Sequence, residues 1–266
     1  MGSDEKRLGR ACGTGRDVSR FKVTREICQT LKVRRSLGGL LLIVAGVLIA
    51  LAIGSWWLQR VAFSPSTDAG ATASILEDPD IRGQVATVVA SADAPTLSQS
   101  PTQLKEFIEQ IALIPDGAAL MTEFVRDAHA QVIGANSDAV LITAEEQVVI
   151  VRDERVGEMP ALRVPVQEVS SVTFIDTAAG WVSIVGLALG VLLLLIGVVL
   201  RPERGEGTFA LGVGLATLAG ALFVFGYLVP LALLPALSDD TWMGVFPRLA
   251  SHHRTLTLLL SVAALV

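Results

Sequence analysis

Two apolar runs decide the fold: residues 181–200, WVSIVGLALGVLLLLIGVVL, and residues 208–237, TFALGVGLATLAGALFVFGYLVPLALLPAL, joined by RPERGEG at 201–207. Neither run contains a charged residue. A helix rises 1.5 Å per residue, so about twenty residues cover the roughly 30 Å of bilayer hydrocarbon. Lipid offers no partner for exposed peptide groups, so each run reads as a transmembrane helix and the pair as a membrane hairpin. The second run is longer than crossing needs, and Pro230 and Pro235 mark its exit or a kink at the far interface.

Residues 37–58 form a third uncharged stretch, ending in Trp56 and Trp57 and followed by Gln59 and Arg60, the aromatic and basic border of a membrane interface. A cleaved signal peptide is the competing reading of an apolar run behind a basic segment. The length of this run, and an exit of Ser55-Trp56-Trp57 without a small-x-small site, favour an uncleaved anchor. Near the end of the chain, residues 256–266 are apolar but reach only roughly 17 Å as a helix, too short to cross unaided. We expect a short fourth membrane segment at 255–266; a half-span and a truncated sequence are the alternatives. Residues 238–254, which mix Asp239, Asp240 and Trp242 with Arg248, His252, His253 and Arg254, read as an extracytoplasmic interfacial loop.

With 52% hydrophobic and 18% charged residues in 266, the composition is that of a membrane protein. The net charge of −5 conceals a division by segment. Residues 1–36 hold ten Lys/Arg and four acids, a surplus of six; residues 59–180 hold seven basic and eighteen acidic side chains, a deficit of eleven. The basic tail (1–36) and the Arg201/Arg204 connector then face the cytoplasm and residues 59–180 lie outside. Basic side chains in such a tail can also rest on anionic headgroups, at about 1 kcal/mol each. The opening Met1-Gly2 is no myristoylation signal, because Lys6 stands where Ser or Thr is wanted.

Residues 59–180 have the composition of a folded domain. A linker (63–74) precedes Asp78-Pro79-Asp80, a helix start in which Asp caps and Pro occupies the first turn, so 81–90 is expected to be helical and 91–102 a loop. Leu104, Phe107, Ile108 and Ile111 form one amphipathic helix, broken by Pro115-Asp116-Gly117. Leu120, Met121, Phe124, Val125 and Ala128 form a second, with His129 assigned to its polar face. The β-branched stretches 140–143, 148–151, 162–166 and 169–175 are expected as strands, although Thr143 and Glu146 also fit a capping box. The fold class is therefore an α-helical membrane protein of three to four transmembrane helices, with a mixed, mainly helical α+β extracytoplasmic domain between the first and second.

Small residues recur at four-residue spacing in the apolar runs: Gly46, Ala50 and Gly54; Gly186 and Gly190; and Thr208, Gly212, Ala216 and Gly220. Such stripes let backbones approach closely where lipid removes the hydrophobic drive for association. They serve packing within the bundle or docking of another membrane protein, and the third is the docking candidate.

Chemistry is scarce. No apolar run holds an Asp, Glu, Lys, Arg or His, which argues against a channel, pump or transporter acting alone. There is no HExxH, GxSxG or phosphate loop, Cys12 and Cys28 form no CxxC pair, and the acidic domain disfavours nucleic acid. His252-His253 beside Asp239 and Asp240 is a loop feature in preference to a metal site. No catalytic, metal or cofactor residue is expected, nor a small-molecule substrate.

The order of basic tail, Trp-ended anchor, Ser64-Pro65-Ser66-Thr67-Asp68, then Ile75-Leu76-Glu77-Asp78-Pro79-Asp80-Ile81-Arg82 and Gln84-Val85-Ala86 resembles a family of actinobacterial multi-pass envelope proteins of largely unknown function. The β-branched segment and the short last span depart from that pattern. The resemblance implies a bacterial plasma membrane and an accessory role in the cell envelope; accessory subunits of mycobacterial Mce lipid importers are similar in having several spans and no catalytic motif. The expected function is a non-enzymatic accessory subunit of an envelope complex, connected with lipid transport and partnered by other integral membrane proteins and lipids. The alternative is an extracytoplasmic binder of lipid or envelope polymer.

Overall fold

A computed structural model describes residues 18–65, 68–200 and 204–265. The first 17 residues of the expected tail, Cys12 among them, and residues 201–203 of the connector lie outside the described residues. The remainder of the tail is continuous with the anchor: helix α1 (Val18–Ala62) runs for 45 residues, and its portion Leu37–Ala62 is long and apolar enough to cross a membrane.

A polar head domain follows. The linker expected at 63–74 contains helix α2 (Ala69–Leu76), whose first turn is capped by the Asp68 carboxylate accepting from the Ala71 amide at 3.2 Å. Helix α3 (Pro79–Leu97) starts at the anticipated cap, with Asp78 accepting from the amides of Asp80 and Ile81 at 3.1 and 3.5 Å. It does not stop near residue 90. It continues through most of the loop expected at 91–102, with Pro95 in its last turns and Ser98 closing it in a left-handed conformation (φ 57°). Burial of Val89, Ala90, Ala94 and Leu97 along one side stabilises this extension. Helices α4 (Pro101–Ala112), α5 (Pro115–Leu120) and α6 (Thr122–Val132) realise the expected helical hairpin. Gly117 is required at the break, because a side chain there would run into the Ile111 carbonyl.

The strands are reduced to a short ladder. β1 (Leu141–Ile142) pairs antiparallel with β2 (Leu162–Arg163), Leu141 opposite Arg163 and Ile142 opposite Leu162. Residues 148–151, expected as a strand, belong to helix α7 (Ala144–Val151). Here the capping box prevails over β propensity: Thr143 Oγ1 accepts the Glu146 amide at 3.3 Å, and the Glu146 carboxylate accepts the Thr143 amide at 2.7 Å. The buried Gln147 amide then donates to the carbonyls of Ile142 and Pro160, both at 3.1 Å, which fixes the helix against its flanks. Residues 169–175, the last expected strand, are mostly the opening turns of α8 (Ser170–Val199). The expected α+β domain is thus helical but for the two-stranded ladder.

Helix α8 begins well before Trp181, inside the head, where Val172 and Ala179 are buried. After the connector come α9 (Arg204–Phe223) and, without interruption, a π-helical stretch (Val224–Leu233). Pro230 lies inside that stretch; its ring lacks an N–H and would clash with the carbonyl four residues back in an α-helix, so wider turns accommodate it, and the Leu234 amide reaches the Val229 carbonyl at 3.0 Å. Ser170–Val199 and Gly207–Leu233 are both long and apolar enough to cross a membrane, making three such helices with Leu37–Ala62.

The expected interfacial loop at 238–254 is ordered and internal. Asp240 caps a 3-10 turn (Thr241–Gly244), accepting the Trp242 amide at 2.8 Å, and α10 (Val245–His252) follows. Trp242, Met243, Val245, Phe246 and Leu249 are buried in the head core, whose apolar requirement outweighs the charges around them. Helix α11 (Arg254–Ala263) is about 15 Å long at 1.5 Å per residue, too short to cross unaided. It is pinned to α1 by the Trp57 indole N–H donating to Thr257 Oγ1 at 3.2 Å, a buried bond.

One core joins head and apolar helices. Leu58, Ala62 and Phe63 of α1, Val172 and Ala179 of α8, and Leu234 beyond the π-helical stretch share a cluster with Ile81, Phe124 and Trp242. The head is continuous with the helices beneath it.

Candidate functional site on the apolar helices

Helix α1 packs against α8 on one face and α9 on another. The face towards α8 presents Ala45, Leu48, Ile49 and Ala52, and the two expected glycines of α8 make room for it. A methyl group at Gly190 would stand 2.6 Å from Ile49 Cγ1 and 3.2 Å from the Ala45 carbonyl oxygen. One at Gly186 would stand 3.4 Å from Ala52 Cβ. Gly197 continues the stripe against Leu42, which the four-residue spacing did not reveal because seven residues separate it from Gly190.

The opposite face of α1 carries Gly46, Ala50 and Gly54, as expected. A Cβ at Gly46 would lie 3.2 Å from Gly214 Cα, and one at Gly54 would lie 2.8 and 2.9 Å from Phe225 and Ala221 side-chain atoms. Ala50 is buried. The partner stripe on α9 is therefore Ala210, Gly214 and Ala221, with Ala210-xxx-Gly214 as the signal in the sequence. The stripe singled out beforehand points elsewhere: Gly212, Ala216 and Gly220 are exposed, and a Cβ at either glycine would meet nothing within 4 Å. Between α8 and α9, with α1 as its floor, lies an apolar cleft of about 240 Å³ bordered by Gly46, Ile49, Ala50, Leu194, Leu211 and Leu215.

Ionisable groups are informative in the head. His129 is turned inward, contrary to its assignment to a polar face. It is 1% exposed, and its Nε2–H donates to the Ala62 carbonyl at 2.8 Å, satisfying a backbone oxygen left over at the end of α1. Its ring also meets Phe246 edge-on, with centroids 6.0 Å apart. Burial lowers the imidazole pKa to about 4, against the opposing pull of the Ala62 bond. Asp93 on α3 is fully buried with neither carboxylate oxygen bonded, and burial raises it to about 6. At the turn between α10 and α11, the His252 and His253 rings stand 4.9 Å apart, and His252 pairs with Asp68 at 3.4 Å. Among the described residues, no three His, Cys, Asp or Glu side chains converge in a metal-holding group.

No family model, curated protein or solved structure matches the chain.

Proposed function

We propose that this chain is a non-enzymatic accessory subunit of a cell-envelope membrane complex, and that it docks another integral membrane protein through the Gly212, Ala216 and Gly220 face of α9. The observation that carries this reading is the unequal use of the glycines. Gly46, Gly54, Gly186 and Gly190 are each filled by a neighbouring helix, whereas Gly212 and Gly220 face open space. Glycine inside a helix costs roughly 1 kcal/mol relative to alanine, and a close-packed partner supplies a reason for tolerating that cost. In this reading the protein sits in a bacterial plasma membrane with its N-terminus cytoplasmic and its head outside, held rigidly beside the partner by the shared core.

The test is gentle detergent extraction from the native membrane and affinity purification. A stoichiometric membrane-protein partner should accompany the wild type and be lost in G212L and G220L, while V199L on the exposed side of α8 retains it. A monodisperse monomer without a partner would overturn the proposal.

A further inference from the structure

A pocket of about 420 Å³ opens where α1 leaves its apolar stretch, and it is distinct from the docking face of α9. Its walls divide by chemistry. Trp57, Val61, Leu249 and Leu256 are apolar, whereas Arg60, Ser64 and His253 contribute donors. The sequence explains the convergence: Trp57, Arg60, Val61 and Ser64 recur at three- and four-residue spacing and so share one face at the end of α1. Leu249, His253 and Leu256 do the same across the α10–α11 turn. Trp56 and Trp57 mark the level of a membrane interface, and Arg60 is the first charged residue beyond the apolar run.

The pocket holds a guanidinium and an imidazole without hydrogen-bonding side-chain partners: among the described residues, Arg60 makes no ion pair and no side-chain hydrogen bond, and neither does the His253 ring. Asp68, the carboxylate acting on His253, is already engaged with His252 at 3.4 Å. Burial, then the neighbouring His252, and also Arg60, against the opposing pull of Asp68, hold the His253 imidazole below its usual range, so the ring serves as a neutral N–H donor beside the guanidinium. An anion placed there would pair with the Arg60 guanidinium and accept from the His253 ring and the Ser64 hydroxyl. The flanking indole and leucines favour an anion that carries hydrocarbon.

We propose that this pocket binds the phosphodiester of an anionic phospholipid headgroup, with the Arg60 guanidinium and the His253 ring as donors, Ser64 as a further hydroxyl donor, and Trp57 and Leu256 against the glycerol and upper acyl carbons. A planar guanidinium suits two phosphate oxygens at once, which a lysine cannot reproduce. The proposal is independent of whether a partner docks on α9.

The experiment uses the delipidated full chain in dodecyl maltoside, titrated with dioleoyl-phosphatidylglycerol, dioleoyl-phosphatidylcholine or inorganic phosphate, and read by native mass spectrometry and thermal shift. One phosphatidylglycerol should be retained per chain. Retention should fall about tenfold in R60Q and further in R60Q/H253Q. R60K, which retains the charge without the fork, should lose less, and R254Q, outside the pocket, should bind as wild type. Thermal unfolding without lipid checks that each variant is folded. Equal retention in R60Q, or equal retention of phosphatidylcholine, would overturn the proposal. Complete competition by inorganic phosphate would also overturn it, because the anion would then be free phosphate and not a lipid headgroup.

Discussion

Helices α8 and α9 both flank α1 and both carry small residues four residues apart, yet the two sets meet different surroundings. A side chain at Gly190 would collide with Ile49 and the Ala45 backbone, whereas one at Gly212 or Gly220 would find no atom within 4 Å. A stripe of small residues therefore reports a capacity for close approach, not its occupant. In α8 the occupant is α1, within the same chain. In α9 the occupied face is a neighbouring one, Ala210, Gly214 and Ala221, and the second face remains exposed.

Substitution separates the two sets. G190L should destabilise the detergent-solubilised chain by about 3 kcal/mol or more, since overpacking a tight helix contact typically costs 1–3 kcal/mol and here it meets backbone as well as a side chain. G212L should leave the isolated chain within about 0.5 kcal/mol of wild type. Thermal unfolding monitored by circular dichroism distinguishes them; equal losses would mean that the face of α9 is not free.

The head repeats the contrast between groups with and without a partner. Asp93 is buried with no partner, and His129 is buried with its Nε2–H bonded to Ala62. The folded Asp93 pKa, about 6, lies above its ordinary 3.8, so the folded state holds the proton more tightly and stability falls as pH rises from 4 to 6. The folded His129 pKa, about 4, lies below its ordinary 6.5, so stability is present above pH 6.5 and falls as pH drops towards 4. The two slopes oppose each other. D93N should stabilise the chain by about 3 kcal/mol at pH 7.5, at 1.36 kcal/mol per pKa unit, and leave a stability that declines steeply below pH 6.5. H129F should show the reverse slope, gaining stability from pH 6 to 4. Melting curves of both variants over pH 4–8 give the signs. Parallel slopes would contradict the difference in their environments.

A smaller effect is expected at the α7 cap, where T143A removes the Oγ1 acceptor of the Glu146 amide and should cost about 1 kcal/mol, read from the same melting curves.

Much of the architecture is legible in the sequence because it rests on long-range averages. Uncharged runs of twenty residues, the Leu104/Ile108/Ile111 stripe and the Asp78-Pro79 helix start carry their meaning locally. What escapes is decided by tertiary contact. His129 stands four residues after Val125 and five after Phe124, on the buried side by periodicity, but its polarity concealed this. Its bond to Ala62 comes from a segment 67 positions away. Val245, Phe246, Leu249 and Ala250 likewise have helical spacing, masked by Asp239, Asp240, Arg248 and two histidines. On α9 the difficulty is abundance: several small-residue stripes fit one helix, and only the position of α1 selects between them.

The central claim is that the Gly212, Ala216 and Gly220 face lies against another protein, whereas the exposed side of α8 lies against lipid. Photocrosslinking in the native membrane, with a benzoylphenylalanine at position 216 and, separately, at the exposed Leu195, tests it directly. Position 216 should yield one discrete protein adduct and position 195 lipid adducts alone. Lipid adducts alone at both positions would contradict the claim.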